Sequence, residues 1–599
     1  MRKLKLCLVL LLLVCVTVSF AAKSNGVTLV SQEGDDTVLK FTLKQYDFKK
    51  VMTPKGKAIE LLIPNTGKIM KKGAPDLPRM ATSILIPDDA KMKAKIVDSK
   101  YVEFHDIRLA PSKGNLTRDI DPATVPYVFG KEYRTNAFFP AKLVQTRKPH
   151  ISRDFRGQAI VVNPIQYNPV TRTLRVYHDI TVRVVNTGMK GLNCLNRTKP
   201  LDSLNPTFRN VYSRHFINFA PVIEKYTPLN DDIGNYLIIS YSSFMDEMAD
   251  FVSWKESIGY NVDLVSYSTI GSSSALKTYV ANYYNTNGLT FLLLVGDNAQ
   301  VPTSSTSAGD SDNNYGYIVG SDNYLDIFVG RFSAETAAHV TTQVDRTIHY
   351  ERDVLSSAAF FKKAVGMGSS EGPGHDNQYD YEHIDAILSD LSGYGYTTST
   401  CHQSGGSASL MSSLINAGTG TIFYCGHGSV TEWYTSSWSY YSSNVDALVN
   451  EWELPFIYSV ACVVGNFKSN TCFCETWQRA TNNGNPTGSV AHAGSTINQS
   501  WIPPMDAQDE FADILVAGTK RTFGGVFACG LFKMIDMNGS GGEDMADTWT
   551  IFGDASVQLR TPGTPNGPDP GTPDPPAANF TGSPTSIMVG GSGFFTDTS

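Results

Sequence analysis

The pattern of hydrophobic and polar residues changes once along the chain, near residue 226. Between residues 23 and 225, short runs in which β-branched and polar residues alternate, such as 180–184, are separated by Asn-Pro and Asp turns. Alternation with a period of two is typical of half-buried β-strands. We therefore expect a β-rich domain over residues 23–225, and no catalytic group of residues stands out in it.

Between residues 226 and 561 the apolar runs are continuous. Runs such as Phe291–Val295 alternate with stretches of helical periodicity such as 334–351. Continuous apolar strands that alternate with helices are typical of parallel sheets buried on both faces. The sequence predicts an α/β domain made of two adjoining halves, 226–361 and 362–561.

The N-terminus has the order of a secretory signal peptide. Arg2, Lys3 and Lys5 precede an apolar run, and small residues follow it at 19–22, so we assign residues 1–22 to a signal peptide. The apolar run is shorter than the about 20 residues that a membrane helix needs. The sequence predicts an exported protein, either secreted or held on a bacterial cell surface, without a transmembrane segment.

The C-terminal end contains two further segments. Residues 562–576 are rich in Pro and Gly, which predicts a stiff extended linker. Residues 577–599 resemble the start of a PKD-type β-sandwich, so we expect further modules beyond residue 599, which could attach the protein to a cell surface.

Composition narrows the class of protein. The chain of 599 residues is 41% hydrophobic and 18% charged, with a net charge of -7; these values are typical of a soluble globular protein, and no basic stripe of the kind that binds nucleic acid is present. Two of the nine cysteines lie in the predicted signal peptide. The seven that remain are an odd and sparse set for disulfides in an exported protein, so at least one thiol should be free.

Two apolar strands end in residues that can do chemistry. The strand before Gly426 is followed by His427 and Gly428, and the strand 455–461 is followed by Cys462. If these strands are parallel neighbours, both side chains emerge at the carboxyl edge of the sheet, where α/β folds hold their active sites. A thiol beside an imidazole can ionise and attack a carbonyl, and the amides of Gly428 and Cys462 would stabilise the oxyanion.

Other interpretations of these residues stay open on spacing alone. A cysteine at a strand end is often a small buried hydrophobic residue. Cys425, His427, Cys472 and Cys474 are also zinc-ligand types, although they lack the Cys-x-x-Cys spacing of zinc knuckles.

At these residues the sequence resembles the gingipain family of bacterial cysteine peptidases. The matching stretches run in order through the α/β region and are 345–352, 426–429, 455–462, 495–501, 521–526 and 547–554. The resemblance implies a caspase-like fold, with His427 as general base and acid and Cys462 as nucleophile. It also implies that Glu371 orients His427; an exposed loop carboxylate is the alternative. No organic cofactor is implied.

The resemblance also implies a structural calcium ion. Segment 317–326 resembles a family calcium loop, and oxygen ligands close together on a turn are what this cation requires. The expected ligands are Asp297, Asp322 and Asp326, with the main-chain carbonyls of Val319 and Tyr324. An ordinary Asp/Asn turn is the alternative.

Specificity is predicted from the family's substrate pocket. Asp380 aligns with the acid at the base of the Arg-selective pocket, Trp501 with the aromatic wall over the substrate side chain, and Met505 with the pocket lining. A gap in this alignment leaves Tyr381 or Glu382 as alternatives to Asp380, and Asp506 departs from the family pattern. A planar guanidinium suits both a carboxylate and an aromatic face.

The β-rich domain resembles the family's propeptide, in position and in the segment 154–158. An inhibitory propeptide would cover the cleft until it is removed, and the predicted junction at residues 225 and 226 has Lys where an Arg-specific enzyme would need Arg. The sequence thus predicts an exported cysteine endopeptidase made as a zymogen, which hydrolyses proteins and peptides after Arg and less well after Lys. A Lys-specific or broader member of the family, and a non-catalytic adhesin with the same fold, are the alternatives.

Overall fold

The computed structural model describes residues 25–197, 200–223, 226–228, 234–468, 470–518, 521–564, 580–583 and 594–597. The predicted signal peptide and most of the predicted linker lie outside these residues. The described part of predicted segment 577–599 is one antiparallel pair of strands, Phe580–Ser583 and Phe594–Asp597. This pair does not by itself identify a PKD-type module.

Residues 25–223, which we call the N-terminal domain, are built on two five-stranded sheets with antiparallel pairing. Alternating residues pack between the sheets; Leu39 and Phe41 come from one sheet, and Ile84 and Ile160 from the other. The strands of the first sheet are Gly26–Glu33, Asp36–Thr42, Ala90–Phe104, Ile165–Asn168 and Thr173–Lys190. Those of the second are Gly67–Lys68, Pro78–Leu85, Val144–Thr146, His150–Ser152 and Phe155–Val162.

The N-terminal domain ends in helices that the strand pattern did not predict. Helix Pro206–His215 begins after Asn205, whose side chain accepts from the backbone N–H groups of two first-turn residues, and Pro at its first position suits a helix start. Phe208 of this helix stacks on Phe328 of the following domain, with ring centroids 4.5 Å apart. A short helix, Ala220–Ile223, follows it.

Residues 234–564, which we call the α/β domain, contain one ten-stranded sheet that includes both predicted halves. The first half supplies Asn235–Ser240, Asn261–Ser266, Phe291–Val295 and Phe328–Phe332. The second supplies Lys363–Gly368, Thr397–Thr400, Thr421–Cys425, Phe456–Val460, Ala491–Ser495 and Trp549–Gly553. The last of these lies between the halves and pairs antiparallel on both sides; the other pairs in the sheet are parallel.

Both faces of the sheet are covered, as the continuous apolar runs predicted. Leu237 and Ile239 face one hydrophobic cluster, while Tyr236 and Ile238 face another. The helices of this domain are Ala249–Ser257, Ser273–Asn287, Ala337–Ile348, Asp380–Tyr394, Ala408–Asn416, Ser442–Asp446, Phe473–Arg479, Pro503–Leu515, Phe523–Asn538 and Ser540–Thr548. Within the described residues, no helix combines the length and the apolar character that crossing a membrane would need.

Candidate active site

His427 and Cys462 follow neighbouring parallel strands. Strand Thr421–Cys425 pairs with strand Phe456–Val460, with Cys425 opposite Val460. His427 and Cys462 each lie two residues beyond that pair, so both leave the sheet at its carboxyl edge. The N–H of Gly426 donates to the carbonyl of Val460 at 3.0 Å, which extends the pairing up to the two functional residues.

Position 428 requires glycine because the segment that follows strand Phe456–Val460 approaches it closely. A Cβ atom at this position would lie 2.6 Å from the carbonyl oxygen of Cys462 and 2.7 Å from Cγ1 of Val464. Val463, next to Cys462, has a φ of 49°, which is a strained conformation for a β-branched residue and is often found at functional sites.

The imidazole of His427 is held on two sides. Its Nε2 lies 2.5 Å from Oε2 of Glu371, and its ring stacks on Tyr434 with centroids 5.1 Å apart and planes 12° apart. Because Glu371 takes Nε2, Nδ1 is the nitrogen left for a second partner. The structure therefore brings together His427 and the residue predicted to orient it.

Cys462 is covered, with 4% of its surface exposed. Burial raises the pKa of its thiol, while hydrogen bonding from the backbones of Gln499 and Arg118 and the positive charge of Arg118 oppose that shift. Arg118 belongs to the N-terminal domain, so the thiol lies against a segment of that domain. In this docked form burial therefore favours the protonated thiol.

Asp380 binds an arginine that comes from the N-terminal domain. Nη1 of Arg118 lies 3.0 Å from each carboxylate oxygen of Asp380, and Nη2 lies 3.1 Å from Sγ of Cys425. The guanidinium also lies over the ring of Trp501, 4.6 Å from its centroid. The side chains of Arg118 and Asp380 are fully buried, so an acid, a thiol and an aromatic ring enclose one guanidinium.

The backbone around Arg118 pairs with the α/β domain as an added strand. The N–H of Arg118 donates to the carbonyl of Gln499 at 2.7 Å, and the N–H of Trp501 donates to the carbonyl of Leu116 at 3.0 Å. Thr117 and Ser500 form an antiparallel bridge. Peptide ligands often bind by adding a strand in this way, with side-chain pockets that supply specificity.

Tyr381 and Glu382, the alternatives to Asp380, have other partners, and so does Asp506; the hydroxyl of Tyr381 donates to Glu382 at 3.3 Å. Oδ1 of Asp506 lies 2.5 Å from Nδ1 of His375, and Glu382 accepts the backbone N–H of Tyr379 at the start of its own helix. Met505 is buried against Gly374, where a Cβ would lie 2.4 Å from its sulfur. Of the predicted pocket residues, Asp380 and Trp501 contact the guanidinium of Arg118, while Met505 packs behind the neighbouring loop.

Sequence reasoning missed three residues of this site. It did not predict Arg118, which lies in a loop of the N-terminal domain and has no sequence signal beyond being an arginine. It treated Cys425 as a zinc candidate, whereas the thiol lies 3.2 Å from Oδ1 of Asp380. It also missed Ser369, whose hydroxyl donates to Oδ2 of Asp380 at 2.7 Å.

The structure separates Asp297 from the other predicted calcium ligands. Strands Phe291–Val295 and Phe328–Phe332 run parallel, with Phe291 opposite Phe328. Asp297 follows the first strand whereas Asp326 precedes the second, so the two residues lie at opposite edges of the sheet. Asp297 instead lies 3.4 Å from Arg479 and is corrected to an ion-pair residue outside the loop.

Asp322 and Asp326 stay together in the predicted calcium loop. The N–H of Ile151 donates to Asp322 at 3.0 Å and that of Arg153 donates to Asp326 at 2.6 Å; both donors belong to the N-terminal domain. Burial raises the pKa of Asp322 to about 6, and burial together with the charge of Asp322 raises that of Asp326 to about 8. A divalent cation would offset this buried negative charge, although the backbone N–H groups of Val319 and Tyr324, in the same loop, already donate to these carboxylates.

Comparison with known sequences finds a matching family for each of the two domains. The sequence profile of peptidase family C25 matches residues 230–560, and that of the C25 propeptide matches residues 19–222. Gingipain R1 of Porphyromonas gingivalis is 40% identical over 547 residues, which is 89% of this chain and 54% of the relative. The chain thus spans about half the length of this relative.

Two solved structures are similar as well. The Arg-specific cysteine proteinase gingipain R is 39% identical, with a TM-score of 0.54 over 56% of this chain and 80% of that protein's chain. The complex of the pro- and mature domains of Porphyromonas gingivalis RgpB is 38% identical, with a TM-score of 0.53 over 55% of this chain and 80% of that one. The expected fold class, an α/β domain preceded by a β-rich propeptide, is confirmed. The chain belongs to peptidase family C25.

Proposed function

We propose that the protein is an exported cysteine endopeptidase, made as a zymogen, that hydrolyses peptide bonds after arginine. The observation that carries the proposal is the guanidinium of Arg118, enclosed by Asp380, Cys425 and Trp501. In this proposal Arg118 occupies the place of the substrate residue before the scissile bond. The similar gingipain R is described as Arg-specific, which supports the same conclusion.

The contacts in the pocket favour arginine over lysine. One nitrogen of Arg118 reaches both oxygens of Asp380 while a second reaches the thiol of Cys425. A lysine ammonium has one nitrogen and no flat face, so it cannot make both contacts and stack on Trp501. Lysine should bind through Asp380 alone and be cleaved more slowly.

The proposed mechanism uses His427 and Cys462 as a dyad. Nδ1 of His427 takes the thiol proton, and the thiolate attacks the carbonyl carbon of the substrate residue. The backbone N–H groups of Gly428 and Cys462 stabilise the oxyanion. The imidazolium then protonates the leaving amine, and water, activated by the same imidazole, hydrolyses the thioester to release the acid. Glu371 holds the ring in position through Nε2.

The N-terminal domain keeps the enzyme latent in this proposal. Segment 116–118 fills the pocket and pairs with residues 499–501, so substrate cannot enter. The same contact buries Cys462, and burial raises the pKa of its thiol. Latency therefore has two parts, a blocked pocket and a protonated nucleophile.

Calcium is proposed as a structural ion at Asp322 and Asp326, with the carbonyls of Val319 and Tyr324. When bound, it would neutralise the two buried carboxylates and fix the loop. The proposed reaction does not involve it. Export, by secretion or to the cell surface, is proposed from the signal-peptide pattern of residues 1–22.

A peptide-library cleavage assay on the activated chain tests the proposed function. Cleavage after Arg, with slower cleavage after Lys and none in a Cys462→Ala chain, is expected. Preference for Lys would reassign the pocket, and preference for neither would remove the Arg assignment. No hydrolysis by a chain whose N-terminal domain has been removed would favour a non-catalytic adhesin.

A further inference from the structure

Two histidines meet at the junction of the two domains. His150 begins strand His150–Ser152 and His215 ends helix Pro206–His215. Their Nε2 atoms are 2.9 Å apart. Two N–H groups cannot face each other at that distance, so at least one Nε2 is a bare electron-pair donor. A bare imidazole nitrogen is the form that binds metal ions.

Asp536 approaches the pair from the α/β domain. Its Oδ2 lies 3.7 Å from Nδ1 of His215, and the ligand atoms of the three residues lie within 4.8 Å of one another. Within the described part of the chain, this is the one group of three such side chains with that spacing. Two imidazoles and one carboxylate form a typical zinc donor set that leaves a fourth position open.

The three side chains are held in place by their neighbours. The hydroxyl of Tyr324 donates to Oδ1 of Asp536 at 2.5 Å, and that of Ser83 donates to Oδ2 at 2.6 Å. The ring of Tyr324 also stacks on that of His150, with centroids 3.7 Å apart. Outer contacts of this kind orient metal ligands and contribute to metal affinity.

A cavity reaches two of the three side chains, His215 and Asp536. A Cβ at Gly157 would lie 2.7 Å from Nε2 of His150, so a larger residue there would cover the ligand atom. An open cavity of about 120 Å³, lined by His215, Asp536 and Ser83 among others, leads in from the surface. Arg214, which also lines it, is paired with Glu510 and Asp513, so its charge is largely balanced.

We propose that His150, His215 and Asp536 bind a divalent cation of the zinc class, which joins the N-terminal domain to the α/β domain. With metal–nitrogen bonds of about 2.0–2.1 Å in a tetrahedral site, the two Nε2 atoms need to separate only slightly. The carboxylate of Asp536, which lies beside Nδ1 of His215, has to move toward them. Binding replaces the hydrogen bond between the rings, and the ring that carried its proton on Nε2 then carries it on Nδ1, so both imidazoles stay neutral. Because two ligands belong to one domain and one to the other, the complete site exists only while the domains are docked, so the cation stabilises the docked form.

Zinc binding to the full-length chain tests the proposal directly. The chain carries Cys462→Ala, so that it stays intact, and is stripped with EDTA and then titrated with zinc chloride in millimolar calcium, which occupies oxygen-ligand sites. We expect one tight zinc site and a higher Tm. The site should be lost in His150→Gln and His215→Gln, and zinc should bind more weakly in Asp536→Asn, which keeps the side-chain shape but removes the ligand charge. The matched control is His105→Gln, an exposed histidine of the N-terminal domain, which should bind like the parent.

X-ray absorption of the zinc-loaded parent keeps the proposal testable if a variant does not fold. A first shell of two imidazoles with oxygen supports the site, whereas a shell rich in sulfur places zinc on the cysteines and overturns it. Equal zinc affinity in the folded His150→Gln chain, or no zinc-dependent rise in Tm, overturns it as well. The proposed peptidase activity is not used in any of these measurements, so its failure would leave this result unaffected.

Discussion

Nη1 of Arg118 lies 3.0 Å from each carboxylate oxygen of Asp380, and both side chains are fully buried although 262 positions separate them in the sequence. A buried charge is tolerated when it is paired, and it is costly when its partner is removed. The same carboxylate therefore serves the docked N-terminal domain and, in the proposed function, the substrate. A substitution at Asp380 should therefore change both latency and substrate specificity.

Changing Arg118 to Ala is expected to weaken latency. The substitution leaves the carboxylate of Asp380 buried without its partner. Removing one partner of a buried ion pair destabilises the docked form by about 3 to 5 kcal/mol, and water that enters the pocket would reduce this cost. The full-length chain should activate faster and hydrolyse Arg peptides before any processing. Arg134→Ala, at an exposed arginine of the same domain, is the matched control. Equal activation rates for the two variants would contradict the role of Arg118.

Changing Asp380 to Asn is expected to damage cleavage after basic residues. A charge-assisted contact contributes about 1.5 to 3 kcal/mol, so kcat/KM on Arg peptides should fall roughly ten- to a hundredfold. The loss should be larger for Arg than for Lys, since only a planar guanidinium contacts Asp380 and Cys425 through separate nitrogens while it lies on Trp501. Glu382→Gln, two residues along the same helix, serves as the control. An unchanged ratio of Arg to Lys cleavage would exclude Asp380 as the pocket acid.

The residues that could be predicted from sequence are those at the ends of apolar strands. Continuous apolar runs identify buried parallel strands, and the carboxyl ends of such strands meet at one edge. That rule was enough to expect His427 and Cys462 side by side. The register, with Cys425 opposite Val460, supplies the geometry that spacing alone left open.

The residues that could not be predicted depend on contacts between distant segments. Arg118 lies in a loop without periodicity, and its partner belongs to another domain. Asp297 was grouped with Asp326 on the resemblance to the family's calcium site, but Asp297 follows its strand whereas Asp326 precedes the neighbouring strand. Sequence distance does not reveal which edge of the sheet a loop occupies. The zinc-type donor set of His150, His215 and Asp536 was missed because its residues come from segments that are distant in the sequence.

Replacing either member of the proposed dyad is expected to abolish hydrolysis without unfolding the chain. Cys462→Ala and His427→Ala should each lower kcat by more than about 1,000-fold, and the double variant should be little worse, because the two residues act as one unit. Cys401→Ala, at another buried cysteine of the α/β domain, should keep activity within a few-fold. Activity within tenfold of the parent in Cys462→Ala would remove the dyad assignment.

Removing calcium is expected to lower stability rather than to stop the reaction. A ligand bound only by the folded state stabilises it by about 2.7 kcal/mol when its free concentration is 100 times its Kd. The calcium-dependent part of Tm should disappear in Asp322→Asn and persist in Asp297→Asn, since Asp297 lies at the other edge of the sheet. The same Tm with calcium and with EDTA in the parent chain would exclude this ion.

The reactivity of Cys462 should depend on pH differently before and after activation. Burial raises the pKa of the thiol in the docked form, so the thiol stays protonated to higher pH, and alkylation by iodoacetamide, which needs the thiolate, rises only as pH passes through that raised pKa. Removing the N-terminal domain uncovers the thiol beside His427. The midpoint of alkylation rate against pH should therefore move down, to below the pKa of a free cysteine, which is about 8.5.

The measurement uses a Cys194→Ser background, because Cys194 is the one described cysteine that is not buried. In an Arg118→Ala chain that is still unprocessed, the midpoint should lie between the two, since the segment loosens while the domain remains attached. A midpoint that stays the same on activation would mean that burial by the N-terminal domain does not control the nucleophile, and that latency depends on the blocked pocket alone.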